Sequence, residues 1–260
     1  KSIDPVIFTY FKDNAGQYIS VPAHYWDDLY GQSTLFRRKF SRYKEFARIT
    51  EESLFTPAEL EGALKLKGNY DRTSYVENLG GGKFKVHALP LLAQIAPVNG
   101  MVVEDINGDG NLDIMMLGND YGNEVFSGRY DAFTGLVLLG QGDGNFDPVR
   151  SVDSGFVVSG DAKSMAVIMG SNGKPIFLST QNRGRLLMHQ ATSGKVGKVY
   201  QPEPHIHTLL IGSPDGKTHR LEVNNQSGFI SNSKASVVLP ANIQSLKGVD
   251  YSGNVVDLAY

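Results

Sequence analysis

The segment Asp105-Ile106-Asn107-Gly108-Asp109-Gly110-Asn111-Leu112-Asp113 places oxygen-bearing side chains at alternate positions of a short loop. Calcium takes about six to eight hard oxygens at roughly 2.3–2.6 Å, and alternate residues of a tight loop can aim theirs at one centre. Asp105, Asn107 and Asp109 are expected to supply side-chain oxygens, Asn111 its backbone carbonyl, and Asp113 the closing carboxylate. Gly108 and Gly110 permit the sharp turns such a loop needs. An Asx-rich turn without metal uses the same residue types. Three carboxylates converging without a cation repel one another, which favours the calcium reading. An EF-hand is excluded: it needs glutamate at its twelfth position and a following helix, whereas Met116 stands there and Ile114 to Leu117 reads as strand.

Other chemistry is poorly served. With no cysteine in the chain, disulfides, thiolate metal sites and cysteine nucleophiles are excluded. His205 and His207 share one face if they lie on a strand, but no third ligand accompanies them, so a surface strand is expected. Gly80-Gly81-Gly82-Lys83 and Gly170-Ser171-Asn172-Gly173-Lys174 lack the spacing of a phosphate loop. No G-x-S-x-G occurs, and no acid pair stands out as catalytic. The basic stretch from Arg37 to Arg48 is interleaved with Phe36, Phe40, Tyr43 and Phe46. The aromatics fall on one helical face, so a packed amphipathic helix is expected and nucleic acid is not. Tyr25, Trp26, Tyr30, Tyr121 and Tyr130 have the aromatic faces that suit sugar rings; in a β-rich protein such residues more often fill the core or its rim.

The elements that must hold the loop can be read from texture. A chain of 260 residues with a formal charge of −2 can bury a substantial core and has no global attraction to nucleic acid or anionic membrane. No apolar run approaches the roughly 18 residues of a membrane span. The 29 glycines cluster with Asp and Asn between β-branched and apolar runs, a β-rich signature. Val6 to Phe11 reads as strand, Asp13 to Gly16 as a hairpin turn, and Tyr18-Ile19 as its return. From about 25 to 66 the period turns helical, with a helix start at Thr56-Pro57. From Ser74 onward short strands alternate with glycine turns: 74–79, 84–87, 114–117, 136–139, 166–168, 176–179, 186–189, 207–211, 219–223 and 235–238.

The chain also repeats itself. Glu77 to Phe84 matches Leu139 to Phe146, a strand, a glycine-rich turn and a phenylalanine opening the next strand. Asp109 to Asn119 aligns without gaps on Asn172 to Asn182, and Lys1 to Val6 fits the tail of the same unit, with Asp4 at the place of Asp113. The chain is therefore expected to begin inside a repeat. In the sister unit Ile168, Gly170, Asn172 and Ile176 occupy the ligand positions, and that unit is expected to bind nothing.

These motifs resemble the FG-GAP or VCBS-repeat family, whose integrin-α-like β-propellers carry DxDxDGxxD calcium loops. The runs 128–139, 154–156 and 160–164 look like the C-terminal part of large bacterial VCBS-repeat proteins with an ASPIC/UnbV-type end. The resemblance implies a mainly β fold of propeller-like blades over 1–204, with the helical insertion at 25–66, and a small C-terminal β module over 205–260. It further implies structural Ca2+, upstream propeller repeats in the full-length protein, and an extracellular or cell-surface setting in which a non-enzymatic surface meets a protein or glycan. The alternative is a polysaccharide lyase or hydrolase with a site in the propeller channel. Asn107 stands where aspartate is commoner in the family, which lowers the charge of the loop.

Overall fold

Short β-branched and apolar runs punctuated by glycine put most of the chain into strands, and the computed structural model is mainly β, in several antiparallel sheets, none of them closed. It describes residues 5–125, 127–170, 172, 174–192, 198–214, 216–223, 226–228, 231–232, 236–240 and 242–260. Two compact units result, Lys1–Asn69 and Tyr70–Tyr260, and the division expected after residue 204 lies within the second.

The first unit opens with a hairpin of β1 (Phe8–Lys12) and β2 (Tyr18–Pro22), Phe8 facing Pro22 and Lys12 facing Tyr18. Its turn is held by Asp13, whose Oδ1 accepts the N–H groups of Ala15 and Gln17. Four short helices follow: α1 (Trp26–Gln32), α2 (Thr34–Lys39), α3 (Tyr43–Phe46) and α4 (Glu51–Leu54). They bury Leu29, Phe36, Phe40 and Leu54, against which Phe8, Trp26 and Phe55 pack. The helix expected from Thr56 does not form. Its cap does, since Glu59 accepts the Thr56 N–H at 2.8 Å, but residues 57–62 stay in turns. Leu64 and Leu66 beyond them are more than four-fifths exposed, and a helix with no apolar face to bury does not propagate.

The second unit begins with the hairpin β3 (Ser74–Gly80) and β4 (Lys83–Ala88). The strands β5 (Val98–Glu104), β6 (Asp113–Gly118), β7 (Leu136–Gly140) and β8 (Phe146–Arg150) then form an antiparallel meander in sequence order. After the single turn α5 (Ser151–Ser154), β9 (Ala162–Met169), β10 (Pro175–Gln181) and β11 (Leu187–Gln190) form a second meander. Every residue of β6 is buried, because side chains alternate across a strand and both faces of this sheet are covered. On one face Met115, Leu117 and Val137 pack with Met165 and Phe177 of the second meander. On the other, Ile114, Met116, Leu136 and Leu138 pack with Leu89, Ala93 and Phe133, and with Tyr75 and Phe146. Burying each such Leu or Met side chain is worth about 1.5–3 kcal/mol.

The remaining strands are β12 (Lys198–Tyr200), β13 (Ile206–Gly212), β14 (Thr218–Glu222), β15 (Gln226–Gly228), β16 (Ser231–Asn232), β17 (Val237–Leu239), β18 (Ser245–Asp250) and β19 (Val255–Asp257). A sheet of order β14-β13-β18-β19 builds its own core from Ile206, Leu209, Ile211 and Leu246 with Val237 and Leu239. This C-terminal part also reaches back. β17 pairs with β12, and β15 joins the edge of the first meander where Gly228 faces Gly100. Among the described residues no helix is long and apolar enough to cross a membrane.

Candidate functional site

The loop from Asp105 to Leu112 joins β5 to β6 and is built almost entirely by Asx side chains gripping backbone. Asp105 Oδ1 accepts the N–H groups of Gly108 and Asp109, and Oδ2 that of Gly110. Asn107 Oδ1 accepts from Asp109 N–H, and Asp109 Oδ1 from Asn111 N–H. The Asn107 amide donates to Asp109 Oδ2 at 2.9 Å. Gly108 and Gly110 adopt φ of 78° and 94°, which explains why glycine is needed at both. Asp105, Asn107 and Asp109 are thus brought together by the fold, and Asp105 and Asp109 retain lone pairs beyond the N–H groups they hold.

Asp113, the first residue of β6, is fully buried. Its Oδ2 accepts the N–H groups of Ile106 and Asn107, and its Oδ1 that of Gly140 at the end of β7. Burial pushes its carboxyl above the ordinary carboxylate range, opposed by those three N–H groups. Next to the loop, burial pushes Glu104 up to about 8, with the Val238 N–H acting the other way and the charge of Asp105 adding to the rise. Asn111 turns its side chain toward the β7–β8 turn, where a Cβ on Gly142 would stand 2.4 Å from Asn111 Oδ1. In that turn Asp143 accepts the Asn145 N–H and side-chain amide, which hold its carboxyl below the ordinary range.

The donor set is chemically right for a hard divalent cation: the half-buried carboxylate of Asp105, the exposed one of Asp109, an amide oxygen and the buried carboxylate of Asp113 on one nine-residue loop. Among the described residues, no three His, Asp or Glu side chains are already arranged as a metal cluster, because each carboxylate here is turned onto backbone N–H groups. The sister turn between β9 and β10 has no carboxylate. There Asn172 Oδ1 accepts the Lys174 N–H, and Gly170 N–H reaches the Lys174 carbonyl. Asp4 lies outside the described residues.

The other candidates do not converge. His207 Nδ1 pairs with the Thr208 hydroxyl and its ring lies 5.2 Å from Tyr251, while His205 faces Glu203. Lys39, in the basic stretch, donates to the Leu54 carbonyl and to Glu59. Gly80, Gly81 and Gly82 all take positive φ as the β3–β4 turn. Tyr121 donates to the Ser159 carbonyl and carries the Arg129 guanidinium over its ring. The grip of Asp113 on Gly140 joins residues 27 positions apart, and the sequence signals it only through the repeated glycine-rich turn after β7.

Neither protein-family models nor curated proteins match this chain.

Proposed function

We propose that this chain is a calcium-stabilised segment of stacked, propeller-like β-repeats from an exported bacterial protein, and that its role is recognition of a protein or glycan. The observation that carries the reading is the placement of the 105–113 loop. It opens β6, the strand of the four-stranded meander that is buried on both faces, and a second, three-stranded meander packs against one of those faces with its own Asx turn between its first two strands. A cation there would neutralise Asp105 and Asp109 and fix the β5–β6 connection. The repeat pattern and the FG-GAP-like loop motif support upstream repeats and an extracellular setting in the same way.

The test is thermal unfolding of chelator-treated protein with and without added calcium. An ion bound only to the folded state at a hundred times its Kd stabilises by about 2.7 kcal/mol, a rise of roughly 5 °C or more in Tm for a unit of this size. Asp109→Ala should abolish the rise. A Tm indifferent to both chelator and calcium would overturn the metal assignment.

A further inference from the structure

In the first unit, three aromatic rings stand in a column. Trp26 is in the middle, its ring centroid 4.4 Å from that of Tyr30 in a stacked arrangement and 4.6 Å from that of Tyr43 in a tilted one. Trp26 and Tyr30 lie four residues apart on α1, which puts them on one helical face, and Tyr43 opens α3. Hydrogen bonds fix two of the rings, and a cation lies against the third. Trp26 Nε1–H donates to the Phe40 carbonyl, and the Tyr43 hydroxyl donates to Asp27 Oδ2 at 2.8 Å. The Arg37 guanidinium lies 5.2 Å from the Tyr30 ring centre while its Nε donates to the Tyr30 carbonyl. The Tyr30 ring thus has a cation against it as well as the Trp26 ring. At the other end of the column, Tyr43 is 61% exposed.

An aromatic ring held rigidly with most of its surface in water gives no packing return to the core, which is built from Leu29, Phe36, Phe40 and Leu54. We propose that the Tyr43 end of the column is a carbohydrate site that stacks the C–H face of a neutral hexopyranose unit of a glycan. This names a site for the recognition role above and rests on that reading. The chemistry is specific. The face of a tyrosine ring is electron-rich and attracts the polarised C–H groups of a sugar face. Sugar hydroxyls at the ring edge need acceptors, and Asp27 Oδ1 has no partner among the described residues while Oδ2 is held by Tyr43. Rings fixed in advance lose little freedom on binding. A protein hot spot wants a desolvated apolar pocket, whereas Tyr43 is exposed and bonded to the exposed carboxylate of Asp27, with the exposed Lys44 next in the chain.

Trp26 is the sole tryptophan of the chain, so its fluorescence reports this column directly. The full chain would be titrated with the hexasaccharides of β-1,4-linked glucose, N-acetylglucosamine and mannose, with calorimetry in parallel. We expect a saturable change of Trp26 emission for at least one of them, with Kd on the order of 1 mM or tighter. Tyr43→Ala should weaken it at least about tenfold and Tyr43→Phe, which keeps the ring, only a few-fold. If Tyr43→Ala does not fold, Asp27→Asn should still weaken binding several-fold through the lost acceptor. Silence from all three sugars to about 10 mM, or a response that neither Tyr43→Ala nor Asp27→Asn alters, would overturn the proposal. A calcium-dependent Tm with no sugar response removes this site and leaves the calcium reading standing. A Tyr43-dependent response without a calcium effect does the reverse.

Discussion

Asp113 Oδ1 accepts the backbone N–H of Gly140 at 2.9 Å, tying the end of the 105–113 loop to the end of β7 across 27 residues of chain. The contact is close enough that a Cβ on Gly140 would stand 2.1 Å from the Leu112 carbonyl oxygen. Asp113→Ala leaves the N–H groups of Gly140, Ile106 and Asn107 without their acceptor. One unsatisfied buried N–H costs about 1–3 kcal/mol, so a loss of roughly 3 kcal/mol or more is expected in denaturant unfolding. Asp113→Asn keeps an acceptor oxygen and should lose clearly less. Equal losses for the two variants would show that charge, rather than hydrogen bonding, is what Asp113 contributes.

Asn119 follows β6 with φ of 89° and is fully buried. Its Oδ1 accepts the Phe133 N–H, and its Nδ2 donates to the carbonyls of Phe133 and Gly160. Asn119→Ala removes three hydrogen bonds, two of them buried, and puts alanine in a left-handed conformation; Asn119→Gly removes the bonds alone. The alanine variant should lose about 3–5 kcal/mol, and the glycine variant about 1 kcal/mol less than that. A glycine variant as poor as alanine would mean that the backbone conformation is not strained.

How much of this was legible follows from where glycines and polar residues sit. The Asx loop opening β6, the hairpin turns at Asp13 and Gly80, and the apolar run Ile114 to Leu117 stand out because their residue types answer to local geometry. β5 and β18 do not stand out. Gly100 in β5 resembles a turn residue, yet its Cβ would meet the Met165 backbone N at 2.9 Å, so it is there to let β9 approach. Gly248 in β18 does the same for Ile206. The pairing of β15 with β5 joins residues 128 positions apart at Gly228 and Gly100, and no local pattern encodes such a partner. Tyr43 shares a helical period with Phe36, Phe40 and Phe46, which predicts a packed face, yet it is 61% exposed because the stretch breaks into α2 and α3 and its ring turns to Trp26 instead.

His189 on β11 packs edge-on against Phe156 at 4.9 Å, and burial holds its pKa below the ordinary 6.5. As pH falls, the unfolded chain takes up this proton before the folded one. The contribution of His189 is therefore fully present above the unfolded value of 6.5 and is lost as pH falls below it toward the folded pKa. Unfolding midpoints measured from pH 8 to 5 should decline through this window, and His189→Phe should flatten the decline. A slope unchanged in His189→Phe would assign it to other groups.

The two units carry separate cores, and Trp26 belongs to the first. Leu54 is fully buried there, and its truncation leaves a cavity beneath Phe36 and Phe40. Leu54→Ala should cost about 2–5 kcal/mol, and the loss should fall on the unit that Trp26 reports. The fluorescence transition of Trp26 is expected to move to lower denaturant, while the far-ultraviolet β signal, which arises mainly from the strands of Tyr70–Tyr260, keeps its midpoint. Coincident movement of both probes would instead show one cooperative transition over the whole chain.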